Sequence, residues 1–169
     1  YAMLRDGQSL PQDKLDDYYA SVAATVKSWK PTTNPTEIER AVLALSILDK
    51  DITNIEGVNL VDMICNHPNL TRQGSNALIW GLIALDLKNT PVPAGAKWTR
   101  ESMVNELLTY QKEDGSFGLD KNAGSSLDVT AMAIQALAYY QEMDGVQEAV
   151  ERGVAYMAKV AEKNLDYGS

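Results

Sequence analysis

An aspartate stands where a glycine-rich turn gives way to an apolar helix, in "QKEDGSFGLDKNAGSSLDVTAMAIQAL" over residues 111–137. This residue, Asp128, has two interpretations. It is a general acid if it faces a cavity that favours its protonated form. It is a structural residue if it belongs to a helix N-terminus, because Ser125-Ser-Leu-Asp128 matches the capping pattern Ser/Thr-x-x-Asp/Glu. The pattern favours the structural role.

The only cysteine and the only histidine, Cys65 and His67, are close enough in sequence to suggest a metal site. The segment "NLVDMICNH" (59–67) is predicted to be helical. Side chains two residues apart on a helix point about 200° away from each other, so these two cannot share a metal ion without unwinding it. We therefore predict no metal site and no cofactor.

Aromatic side chains on the helices predicted to be buried are few: Trp80, Tyr139 and Tyr140. Trp80 lies in an apolar helix, which favours core packing over ligand contact. The acids of "LDDYYA" (15–20) lack a third acid at metal-binding spacing and indicate a solvated helix face. The sequence therefore nominates no catalytic residue; Asp128, Trp80 and Tyr139 stay candidates for ligand contact.

Composition excludes several function classes. The 169 residues suffice for one domain with a real core. A net charge of −8 argues against a nucleic-acid or anionic-membrane surface. The longest apolar run, Ala77–Leu85, is nine residues against the roughly 20 of a membrane span. One cysteine cannot form an internal disulfide.

Helical periodicity dominates and strand-like alternation is nearly absent, which predicts an all-α fold. The second helix is predicted to begin with the capping box Thr36-Glu-Ile-Glu39. The fifth carries the stripe Met103, Leu107 and Tyr110. Seven helices are predicted, over residues 12–29, 37–49, 59–67, 75–87, 99–111, 126–141 and 146–163.

Amphipathic helices alternate with helices that are apolar on most faces. The first, fifth and seventh have one apolar stripe; the second, fourth and sixth are apolar nearly all round and must be enclosed. We expect Ala131, Ile134 and Leu137 of the sixth to be buried. The seventh is predicted to use Val146, Val150, Val154, Met157 and Ala161. This alternation predicts outer–inner helical pairs arranged in two layers.

The chain resembles the α/α-toroid superfamily of terpenoid cyclases, protein prenyltransferase β-subunits and cobalamin carriers. Gln111-x3-Gly115-x-Phe117 is similar to the glutamine–aromatic repeat turn of the prenyltransferase/squalene oxidase repeat, and "DVTAMAIQAL" (128–137) to its inner helix. "RQGSNALIWGLIALD" (72–86) resembles bacterial cell-surface proteins with a transcobalamin-like toroid. The resemblance covers most of the chain.

A complete toroid of this kind has about twelve helices, so the resemblance implies that residues 1–169 are one partial toroid domain. Residues 1–7 are then the end of an earlier inner helix, and residues 164–169 the start of a further repeat turn. Open ends of a partial toroid would expose apolar surface on the first and last helices, and we expect self-association there.

The resemblance leaves three functions open. The first is a non-catalytic binding or structural domain of a secreted or cell-surface bacterial protein, with a small-molecule or glycan ligand. The second is a terpene cyclase: aligning Thr130 and Ala131 with the D-x-D-D-T-A motif places Asp128 on its proton donor, although Ser126 and Val129 replace the flanking acids. The third is a polysaccharide lyase, which needs a Tyr, His, Arg and Asn set; the chain has one His.

Overall fold

The computed structural model describes residues 10–166, except for the side chains of residues 164–166. Within this range the fold is all-α, as predicted, and β-pairing is limited to isolated bridges. Seven α-helices follow one another: α1 Gln12–Val26, α2 Pro35–Ile47, α3 Leu60–Cys65, α4 Ser75–Asp86, α5 Arg100–Leu108, α6 Leu127–Leu137 and α7 Val146–Asp166. Two short 3₁₀ helices, Leu70–Gln73 and Ala138–Tyr140, complete the list.

The chain divides into two compact units, and the boundary falls inside α4. The first unit comprises the described residues up to Leu70 together with Ile83–Thr99. In it, α2 packs on α3. The second unit comprises Thr71–Leu82 together with the described residues from Arg100 onward. Here α6 and α7 form the most extensive helix–helix contact.

Burial follows the predicted alternation between amphipathic and enclosed helices. In α1 only Ala23 and Val26 are buried. In α2 and α4 most residues are buried, and α6 buries a wide face. The stripe predicted for the fifth helix is confirmed, since Met103, Leu107 and Tyr110 are all buried. An apolar circumference therefore identified α2 and α4 correctly as enclosed helices, whereas α6 buries one face and leaves Leu127, Asp128 and Gln135 exposed.

The predicted start of the second helix is wrong. Helix α2 begins at Pro35, with Asn34 at the N-cap position and no side-chain capping bond. Pro35 fits the first helical position because it has no N–H to leave unpaired and its φ is already helical. The helix therefore starts two residues before residue 37, where it was predicted to begin, and Glu39 is buried with no exposed surface.

The buried face of α6 is rotated from the predicted one. Leu137 is fully buried, but Ala131 and Ile134 are only half-buried, while Ala133 and Ala136 are enclosed. Helix α6 packs closely against α7, where a Cβ on Gly153 would lie 3.0 Å from the Ile134 side chain. Small residues at such a contact let two helices approach each other.

The stripe of α7 is also shifted. Val146, Ala149 and Gly153 are buried, whereas Val154 is 52% exposed and Ala161 is exposed. The helix continues to Asp166, so the repeat turn predicted from residue 164 does not begin there. Residues 167–169 and the helix end predicted for residues 1–7 lie outside the described residues.

Candidate functional site

The segment between α5 and α6 that carries the glutamine–aromatic motif forms a tight turn, here called the Gln111 turn (residues 111–119). The amide Nε2 of Gln111 donates to the carbonyl of Gly115 at 3.0 Å and to the carbonyl of Ala149 at 2.7 Å. The first bond closes the turn on itself. The second attaches the turn to α7, so one side chain joins two elements that are distant in sequence.

Gly115 could not be replaced at this turn without strain. Its φ is +87°, in the left-handed region that L side chains rarely adopt. A Cβ there would also lie 2.5 Å from the carbonyl oxygen of Arg152 on α7. Arg152 in turn donates through Nη2 to the carbonyls of Lys112 and Glu113, at 2.8 and 3.2 Å. The backbone of the turn therefore lies directly against α7.

Asp114 organises the outer side of the turn. Its Oδ1 accepts from the backbone N–H and hydroxyl of Ser116, at 3.0 and 2.7 Å, and its Oδ2 accepts from the Ser125 hydroxyl at 2.7 Å. These hydrogen bonds, that of the Ser116 hydroxyl first and that of Ser125 second, lower the pKa of Asp114. The carboxylate is thus a charged acceptor that ties the turn to the loop before α6.

Phe117 is fully buried, and its backbone is held by the first turn of α6. Its N–H donates to the Thr130 hydroxyl oxygen at 2.8 Å, and its carbonyl accepts from the Ser126 N–H at 3.2 Å. The Thr130 hydroxyl donates in turn to the Ser126 carbonyl at 2.6 Å. Polar groups that could do chemistry in another setting serve here to join α5, α6 and α7.

Asp128 lies in the first turn of α6 with its side chain exposed. The capping prediction is wrong by one residue: the cap is Ser126, whose hydroxyl accepts from the Val129 N–H at 3.3 Å, while Ser125 bonds to Asp114. The α6 dipole still favours a negative charge at Asp128. The exposed side chain does not face the enclosed cavity that the general-acid interpretation requires.

The aromatic candidates differ in exposure. Trp80 is half-buried in α4, and Tyr140 is half-buried in the 3₁₀ turn that follows α6. Tyr139, its neighbour, is 81% exposed. A ring with this exposure contributes little to the core, so of the three it is the one most open to a partner.

His67 is a satisfied interior residue of the first unit. Its Nε2 lies 2.9 Å from the Thr33 carbonyl, and its Nδ1 accepts from the Asn69 N–H at 3.1 Å. A carbonyl can only accept, so the proton is on Nε2. Helix α3 ends at buried Cys65, so the angular argument for two positions on one helix does not apply. Among the side chains that the structure describes, residues 10–163, no three His, Cys, Asp or Glu are grouped to hold a metal.

Glu39 is the residue that the sequence interpretation missed. It is fully buried on α2, and neither carboxyl oxygen has a hydrogen-bond partner among the described residues. Burial raises the pKa of Glu39 well above its ordinary value. A signal was present in the sequence: of the four residues three and four positions away, which share its helix face, Pro35, Val42 and Leu43 are apolar and only Thr36 is polar. Assigning Glu39 to a capping box concealed it.

No family model, curated protein or solved structure matches this chain. Among the described residues, no helix combines the length and apolar character needed to cross a membrane. What the fold and the site define together is an all-α protein of helical pairs joined by a hydrogen-bonded turn.

Proposed function

We propose that the chain is a non-catalytic binding or structural domain built as part of an α/α toroid, within a secreted or cell-surface bacterial protein. The observation that carries the proposal is the Gln111 amide, which bonds to Gly115 and to Ala149 of α7. The motif that gave the resemblance therefore has a structural task in this chain. Its hydrogen bonds are those of a connector between repeats.

The hydrogen bonds of the other polar side chains support this assignment. Asp114 and Thr130 are engaged in joining the turn to α6, and Arg152 holds the turn against α7. Asp128, the proton donor of the cyclase alternative, is exposed at a helix N-terminus. A domain whose polar groups fix helix positions is suited to presenting a surface, and we propose a small-molecule or glycan ligand for it.

Turnover assays test the non-catalytic proposal. The chain would be incubated with squalene, with products identified by mass spectrometry, and with hyaluronan, with unsaturated products followed by ultraviolet absorbance. We expect no product above a blank without protein. Cyclised squalene formed by the native chain and lost in Asp128→Asn would refute the proposal in favour of the cyclase.

We also propose that the chain associates with itself through apolar side chains on its first and last helices. Tyr18 on α1 is 47% exposed and Val154 on α7 is 52% exposed. Sedimentation over a concentration series should show association that Tyr18→Glu or Val154→Glu weakens. Ala24→Glu, at an exposed position of α1, is the control. A monomer at every concentration would contradict this.

A further inference from the structure

A pocket of about 210 Å³ lies in the first unit, where α2 and α4 end. It is separate from the Gln111 turn, and no motif in the sequence pointed to it. Six of the residues that line it carry polar side chains: Ser46, Asp49, Lys50, Asp51, Lys88 and Thr90. We call it the helix-end pocket.

The two helices end in the same way, which brings these side chains to one place. Asp49 after α2 and Asn89 after α4 both have left-handed backbones, with φ of +51° and +47°. The residue that follows each one donates its N–H back to a helix carbonyl, Lys50 to Leu45 at 3.0 Å and Thr90 to Leu85 at 2.8 Å. This is the hydrogen-bonded helix ending of a left-handed cap, and it occurs twice at a spacing of 40 residues.

Local hydrogen bonds fix the carboxylates of the pocket. Lys88 Nζ donates to Asp49 Oδ1 at 2.8 Å. Asp51 Oδ1 accepts from the Thr53 hydroxyl at 2.6 Å and from the Thr53 N–H at 2.9 Å. The Lys88 hydrogen bond and charge lower the pKa of Asp49, and the Thr53 hydroxyl and N–H lower that of Asp51. Both carboxylates are therefore held as charged acceptors.

The two ammonium groups of the pocket also have defined neighbours. Lys88 is held by Asp49, and the Lys50 ammonium lies 4.4 Å from the centre of the Tyr19 ring. In the wall, the buried hydroxyl of Ser46 has no hydrogen-bond partner within the described chain. A buried polar group without a partner costs free energy, and a ligand or water that reaches it removes that cost.

We propose that the helix-end pocket binds a single sugar ring through its hydroxyl groups. Two carboxylates and two ammonium groups give the walls no net charge, so neither an anion nor a cation is favoured. Adjacent acceptors and donors instead match a neutral ligand in which every hydroxyl both donates and accepts. The pocket volume of about 210 Å³ accommodates one ring and is below the roughly 300 Å³ at which sites for drug-sized ligands begin.

The inference rests on the proposed binding function and supplies its ligand class. The test is an NMR titration of the ¹⁵N-labelled chain with the methyl glycosides of glucose, mannose, galactose and N-acetylglucosamine. At least one should cause saturable shifts in the amides of residues 49–52 and 88–90. A fully O-methylated glucoside, which has no hydroxyl donors, and glycine betaine, which is zwitterionic, are the ligand controls.

Two exposed side chains of the pocket supply the variants. Asp51→Asn and Lys88→Met should each weaken the responding glycoside at least about tenfold, because each removes a charged hydrogen-bond partner. Lys14→Met is the matched control, since Lys14 lies in an exposed ion pair with Asp17 on α1. It should leave the dissociation constant unchanged.

Four results would overturn the inference: no saturable shift with any of the four glycosides, shifts at other residues only, equal binding of the O-methylated glucoside, or binding of betaine in its place. Any of these results would refute the sugar site. If squalene and hyaluronan are also not turned over, the non-catalytic proposal is unaffected. Turnover of squalene or hyaluronan would refute the non-catalytic proposal, and it would leave the result of the sugar titration unchanged.

Discussion

Replacing Glu39 should make the chain more stable at neutral pH, by a margin that grows with pH. The carboxyl is fully buried and unpartnered in the described chain, so burial raises its pKa in the folded state. In the unfolded chain the group regains water and its ordinary value of 4.5. Glu39→Leu removes the ionisable group and leaves an apolar side chain of similar size among apolar neighbours.

The direction follows from the protons bound in each state. Below the unfolded pKa, Glu39 is protonated in both states and contributes no slope. Above it the unfolded chain releases a proton that the folded chain keeps, so stability falls by about 1.4 kcal/mol per pH unit until the raised pKa of the folded state is reached. The native chain should lose this amount relative to Glu39→Leu for each unit between about pH 5 and that value.

Urea unfolding of the native chain, Glu39→Leu and Glu39→Gln at half-unit steps from pH 4 to pH 8 gives the comparison. Glu39→Gln also removes the ionisable group but leaves a buried amide without hydrogen-bond partners. This variant should therefore be less stable than Glu39→Leu at every pH. Glu37→Gln, on the exposed side of the same helix, is the control. A stability difference between Glu39→Leu and the native chain that stays constant over the whole range would show that Glu39 ionises in the folded state, and the argument would fail.

The Gln111 turn and its surroundings give three further predictions, each checked by urea or thermal unfolding. Gly115→Ala should lower the free energy of unfolding by more than about 2 kcal/mol, because left-handed backbone strain adds to a 2.5 Å contact with the Arg152 carbonyl oxygen. Gly124→Ala, with no atom near the added Cβ, should cost under about 1 kcal/mol. Equal losses would contradict the assigned contact. Thr130→Val should lower the free energy of unfolding by about 1–3 kcal/mol, because it leaves the buried Phe117 N–H unpaired. Thr25→Val is the control: it loses only a hydroxyl bond to the carbonyl four residues back, which Thr130 also makes, and should cost clearly less. The prediction fails if Thr25→Val costs as much. Ser126→Ala should cost about 0.5–2 kcal/mol of stability, because it removes the capping hydroxyl of α6. Asp128→Asn should cost only about 0.3–1 kcal/mol, because it removes a charge at the helix dipole. A larger loss for Asp128→Asn than for Ser126→Ala would show that Asp128 is the capping residue.

Helix identity was predictable from the sequence because it depends on periodicity, which is local. The seven helices and the enclosed character of α2 and α4 follow from how apolar residues recur along each segment. Helix faces were less predictable. Which face of α6 is buried depends on how it packs against α7, and a close contact such as that of Ile134 with Gly153 is a property of the pair of helices.

Capping patterns failed twice, and both failures have the same physical origin. A Ser or Thr three residues before an acid is common, and the pattern does not state where the backbone enters helical geometry. At α2 the preset φ of Pro35 moves the start upstream of Thr36. At α6 the Ser125 hydroxyl bonds to Asp114 across the turn, and Ser126 is left as the cap.

Asp128 and Glu39 show that a motif does not by itself decide the role of an acid. Asp128 follows a turn motif and suggested chemistry, yet it is exposed at a helix end. Glu39 was interpreted as a cap, yet it has the burial and raised pKa that a protonated acid requires. The feature that separates them is the set of side chains three and four residues away, because these form the surface that surrounds a helical side chain. For Glu39 they are almost all apolar, and an acid in such a setting is expected to be neutral, whatever motif it matches.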